Sequence, residues 1–115
     1  MNPEIKDKWI TALESGEFEQ GKGSLADNGR YCCLGVLCEL AAREGAVQRF
    51  SLGARGAAYG ALKLTGVLPT EVEEWAGLPA SCHGAPYIMD MSITDWNDHK
   101  GKTFNELAIM IKEHL

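Results

Sequence analysis

"YCCLGVLCEL", residues 31–40, sets three cysteines within seven consecutive positions of an otherwise apolar run. At 100° per residue, Cys33, Leu34, Val36, Leu37, Cys38, Leu40 and Ala41 cover more than half the circumference of a helix, and Gly35, Glu39 and Arg43 hold the rest. A helix this apolar belongs in the middle of a domain. The pattern predicts a helix over 33–44, with Gly45 as its stop and Glu39 to Arg43 as a favourable i,i+4 pair.

The cysteines raise three chemistries. A structural zinc site wants ligand pairs at C-x-x-C spacing. Cys33 and Cys38 instead fall about 140° apart around a helix, and the adjacent pair Cys82-His83 is poorly placed to converge on one ion. No metal site is expected. A catalytic thiol is better served by Cys32, just ahead of the helix, where the positive end of the dipole lowers a thiol pKa. His83, His99 or His114 would then act as base, with Asp98 orienting His99. Free cysteine is among the most buried residue types, so the adopted reading is core, with four free, reduced thiols. A thiol-dependent hydrolase or transferase using Cys32 stays as the enzymatic alternative.

Working outward, "NPEIKDKWITALESG" (2–16) reads as a helix over 3–15. Asn2 is its cap, Pro3 its first residue, and Ile5, Trp9, Ala12 and Leu13 its inner arc. "LPTEVEEWAGLP" (68–79) predicts a short helix at 70–76, with a Thr70–Glu73 capping box and Val72 and Trp75 inward. "KTFNELAIMIKEHL" (102–115) predicts a helix at 104–114 with a Thr103–Glu106 box. Asp27-Asn28-Gly29 is hairpin-turn chemistry between strands near 22–26 and 30–32. Residues 46–68 lack a clean period, and "AYGALKL" (58–64) suggests one short strand. Residues 80–101 read as loop, with a strand or turn near 87–89. With no repeat and no linker, the chain is expected to be one α+β domain over 1–115, small and mostly helical with a short β-hairpin.

The net charge is −5 and unevenly spread. Residues 20–64 carry six bases (Lys22, Arg30, Arg43, Arg49, Arg55, Lys63) against three acids, while both flanks are acidic. Duplex nucleic acid is disfavoured as a partner. No run approaches the ~20 apolar residues of a membrane span, and no apolar leader follows the start, so a soluble, cytoplasmic protein is expected. A small anion held by the basic middle segment fits this distribution. Arg30, Arg55 and Lys63 are the candidate anion contacts. In "TDWNDHKGK" (94–102), Trp96 offers a stacking face, and Asn97 and Asp98 offer hydrogen bonds for a base or ribose. Taken alone, that stretch reads more plainly as Trp96 in the core and Asn97-Asp98 shaping a turn. The G-x-G of "EQGKGS" (19–24) lacks the strand and the G-K-[ST] ending of a phosphate loop, and reads as a bend.

Together, "KWITALESGEFEQGKGSL", "YCCLGVLCELA", "LPTEVEEWAGL" and "WNDHKGKTFNELAIMIKEHL" resemble a group of small bacteriophage and prophage proteins. That group usually has Leu before its "ND", so Trp96 departs from the pattern, and no catalytic residue carries over. The resemblance implies a counter-defence or host-takeover factor in a bacterial host. The expected function is binding without catalysis: sequestration of a small anionic nucleotide signal, with no cofactor. The alternative is a protein–protein inhibitor of a host protein, and self-association is left open. Convergence of Arg30, Arg55 and Trp96 on one pocket favours the nucleotide; scatter favours the protein partner.

Overall fold

A computed structural model describes residues 1–79 and 84–115. Among these, five helices and three small strand groups build an α+β domain. Helix α1 (Pro3–Glu14) starts where Asn2 accepts hydrogen bonds from the Glu4 and Ile5 amides. It buries Ile5, Trp9, Ala12 and Leu13, the arc that helical spacing predicts.

Helix α2 (Cys33–Arg43) is the central element. Cys33 through Cys38 and Ala41 are all buried. Its end is a Schellman motif: Gly45 at φ +78° donates to the Ala42 carbonyl, and Ala46 donates to that of Ala41. Gly35 is buried for a different reason. A Cβ there would lie 1.7 Å from the Leu25 carbonyl oxygen, so only glycine lets the preceding strand region press onto the helix. The expected Glu39–Arg43 pair does not form. Arg43 turns to Glu17 and stacks over Phe18, whereas Glu39 accepts hydrogen bonds from Arg49 Nε at 2.7 Å and from the Tyr59 hydroxyl at 2.6 Å. A half-buried carboxylate gains more from two fixed donors than from a solvated i+4 guanidinium.

The hairpin forms as Asp27-Asn28-Gly29 predicts, but its strands are shorter: β2 (Ala26–Asp27) pairs antiparallel with β3 (Arg30–Tyr31). A further strand, β1 (Glu19–Gln20), runs parallel to β3 on its other side. Residues 46–68 hold a second hairpin. Strand β4 (Arg49–Ser51) pairs with β5 (Ala57–Tyr59) across a 3₁₀ turn at Gly53–Arg55. The strand expected over 58–64 therefore ends at Tyr59, and residues 60–63 turn back through Lys63 at φ +51°. Helix α3 (Thr70–Ala76) is capped by Pro69 with no side-chain bond, so the Thr70–Glu73 box is not made. Trp75 is half-buried against the core.

Strands β6 (Tyr87–Ile88) and β7 (Met91–Ser92) make a third hairpin. The stretch read as loop at 93–98 is helix α4 (Ile93–Asp98), opened by the Ser92 hydroxyl accepting from the Thr94 amide. Helix α5 (Phe104–His114) carries the predicted Thr103–Glu106 capping box and packs along α1. Among the described residues, no helix is long and apolar enough to cross a membrane.

The Gly35 contact makes a prediction that opposes helix propensity. Alanine is intrinsically better than glycine in a helix by about 1 kcal/mol. Gly35→Ala should nevertheless lower stability in urea unfolding by about 1–3 kcal/mol, because the methyl must displace the Leu25 backbone. A neutral or stabilising result would mean that this approach is not as close as described.

Candidate functional site

The polar centre of the molecule is Asn97, whose side chain is fully buried. Its Oδ1 accepts from Gln20 Nε2 at 3.0 Å and from the Cys33 amide at 3.3 Å. Its Nδ2 donates to the Gly21 carbonyl at 2.9 Å and to Asp98 Oδ1 at 2.7 Å. Gln20 continues the chain, donating to the Lys102 carbonyl at 2.8 Å and accepting from the Phe104 amide at 3.1 Å. Cys33 and Phe104 are the first residues of α2 and α5, positions whose N–H groups have no partner inside their own helix. Two side-chain amides thus supply both missing acceptors. Trp9 grips the same end of α2 by donating its indole N–H to the Cys33 carbonyl at 2.9 Å.

That network fixes the backbone of Gln20 and Gly21, which form one wall of a pocket of about 390 Å³ lined also by Lys22, Ser24, Asp27, Asn28 and Arg30. Gly21 is pinned a second time, its N–H donating to the Tyr31 carbonyl at 2.7 Å. Arg30 reaches Glu19 at 3.3 Å, but both side chains are exposed. Such a pair is worth about 0–1 kcal/mol and yields readily to a competing anion. Lys22 has no ion-pair partner among the described residues. Beside this pocket lies a second, of about 230 Å³, lined by Ser24, Ala26, Asp27, Leu52, Arg55 and Thr65. Ser24 and Asp27 line both.

The six residues singled out from the sequence do not gather in one place. Arg30 and Arg55 lie in the two adjoining pockets. Lys63 stands over the Phe50 ring, 4.9 Å from its centroid, and lines neither. Trp96 is half-buried, packs on the core and donates its indole N–H to the Ile88 carbonyl at 3.0 Å, so its ring offers no stacking face to either pocket. Asn97 and Asp98 are spent on the buried network. Lys22, Ser24 and Asp27, by contrast, were passed over. "EQGKGS" reads from sequence as a bend, but nothing in it shows that the bend sets Lys22 and Ser24 on a pocket wall.

Cys32 does precede α2, yet it is only 4% exposed and makes no cap bond. Burial outweighs the nearby backbone N–H groups and raises its pKa, and it pushes the thiols of Cys33 and Cys38 well above the ordinary value. A nucleophile needs the opposite. These three cysteines are free and buried, as core cysteines would be. Cys82 and His83, weighed as ligands or base, lie outside the described residues.

The raised thiol pKa values carry a sign for stability. Below about pH 8.5 the thiols are protonated in both folded and unfolded chains and impose no pH dependence. Above it the unfolded thiols ionise while the buried ones cannot, so stability falls as pH rises, by about 1.4 kcal/mol per pH unit for each such thiol. Urea unfolding between pH 7 and 10 should show this decline. Cys38→Ala should start less stable at pH 7 but fall less steeply. An unchanged slope would contradict the burial of that thiol.

Comparison with curated proteins gives no match, and comparison with solved structures gives none either. One family model does match, over residues 1–115, and its description is a domain of unknown function (DUF8296). The chain belongs to that family.

Proposed function

We propose that this protein binds a small anionic nucleotide without transforming it, taking the phosphate in the pocket between Lys22 and Arg30. One observation carries the reading: in a chain of net charge −5, a polar pocket of about 390 Å³ is lined by Lys22 and Arg30 together with Asp27, and among the described residues the one ion pair either base makes is Arg30 to the exposed Glu19. Charge-assisted hydrogen bonds from arginine and lysine are the strong contacts available to a phosphate. With Trp96 committed to the core, the base gains no stacking face from it, so recognition rests on phosphate and sugar. Burial of the Cys32 thiol, which raises its pKa, counts against the thiol-dependent alternative at that residue. The resemblance to small phage and prophage proteins supports a setting in a bacterial host cytoplasm, with the nucleotide being a defence signal that is withdrawn from use.

A protein–protein inhibitor is the second reading. It is favoured by the scatter of Trp96 and Lys63 away from Arg30, and by Leu62, Tyr87 and Met89 standing 79%, 63% and 57% exposed. Thermal melts with a panel of mononucleotides and dinucleotides separate the two. A ligand at about 100 times its Kd adds about 2.7 kcal/mol, which a domain of this size shows as several degrees. The shift should vanish in a Lys22→Ala, Arg30→Ala double variant, and the nucleotide should be recovered unchanged after denaturation. No shift with any member favours the protein partner, and a degraded nucleotide would make the protein an enzyme.

A further inference from the structure

We infer that the two pockets flanking β2 act as one site, selective for a ligand with two separated phosphodiester groups over one with contiguous phosphates. The inference rests on the anion reading of the Lys22–Arg30 pocket and extends it to Arg55. Across the hairpin Asp27 is the Cα partner of Arg30. On the other side of β2 the 3₁₀ turn presses close: a Cβ on Gly56 would lie 2.0 Å from the Ala26 carbonyl oxygen and 2.8 Å from Asp27 Cα. Gly56 adopts φ +114°, which only glycine tolerates easily, and this lets Arg55 reach the edge of β2. The surface therefore runs Arg30, Asp27, Arg55: the first step is one paired-strand spacing of about 5 Å, and the second is the close approach of the turn to Asp27.

The order of charges is the selective element. Lys22 and Arg30 line one pocket, Arg55 the other, and the acidic Asp27 lines both. A triphosphate would lay its negative charge against that carboxylate. A ligand whose two phosphates are held apart by a sugar would set one on each basic side. Its sugar hydroxyls would then donate to Asp27, which accepts as a carboxylate does. Ser24, shared by the two pockets, adds a hydroxyl to either phosphate. Arg55 and Lys22 have no ion-pair partner among the described residues, so binding displaces no ion pair of theirs there. A cyclic dinucleotide has the required form.

Calorimetric titration of the full chain with three probes tests this: cyclic di-adenosine monophosphate, adenosine monophosphate and adenosine triphosphate. The dinucleotide should bind at least about tenfold more tightly than either other probe, the span of one charge-assisted contact. Arg55→Ala, an exposed change on a turn, should abolish that advantage while leaving adenosine monophosphate binding within twofold. Asp27→Asn should raise affinity for the triphosphate. If the dinucleotide is unaffected by Arg55→Ala, yet adenosine monophosphate still binds and depends on Arg30, the two-pocket inference fails and the anion reading stands. Failure of all three probes to bind the parent protein overturns both.

Discussion

Two side-chain amides, Asn97 and Gln20, join the β1 and α2 regions to the α4 and α5 regions through hydrogen bonds that span 64 to 84 residues of sequence. Each caps the first N–H of a helix that its own sequence leaves open there: Asn97 for α2, whose N-terminal neighbour is the non-capping Cys32, and Gln20 for α5. A typical hydrogen bond nets about 0.5–1.5 kcal/mol, but orphaning a buried donor or acceptor costs about 1–3 kcal/mol. Asn97 holds four such partners at once, so its loss would strand several. No buried side-chain nitrogen or oxygen among the described residues lacks a partner. A fully satisfied network of this kind specifies one arrangement of the helices around it.

The candidate site is a consequence of that arrangement. Asn97 fixes Gly21 from beneath, and the bend that follows carries Lys22 and Ser24 into the pocket. Charge then sorts itself. Of the six bases between residues 20 and 64, Arg43 is paired with Glu17, Arg49 with Glu39, and Lys63 lies on Phe50. Lys22 and Arg55, with no ion-pair partner among the described residues, and Arg30, paired only with the exposed Glu19 there, are left along the first hairpin and the turn packed against it. The positive middle segment is thereby reduced to three bases, Lys22, Arg30 and Arg55, set around Asp27 at the two adjoining pockets.

Helices α1, α2 and α5 were legible because each has an apolar face at helical period and a terminal signal of its own. Asn2 and the Thr103–Glu106 box are used as their sequences suggest. Helix α4 was missed because six residues, "ITDWND", are too few and too polar to show a period, although Ser92 three residues ahead of Asp95 is a capping signature. The β4–β5 pair was missed because a hairpin with a five-residue connection leaves little trace in glycine- and alanine-rich sequence. Thr70 failed as a cap because Pro69 already takes that position. Asn97 reads from sequence as a turn-shaping residue or a ligand contact, and the structure makes it a buried cap. Nothing local distinguishes an amide aimed at ligand from one aimed at Cys33, since the partner lies 64 residues away.

Native-state hydrogen exchange of the Cys33 and Phe104 amides tests the shared-cap account most directly. First-turn amides ordinarily exchange through local fraying, with little protection. If Asn97 and Gln20 cap them, both amides should exchange only through global unfolding, with the same free energy as the Leu37 amide in the middle of α2. Exchange of either at the rate of a surface amide, while Leu37 stays protected, would contradict the claim that this amide pair holds the fold together.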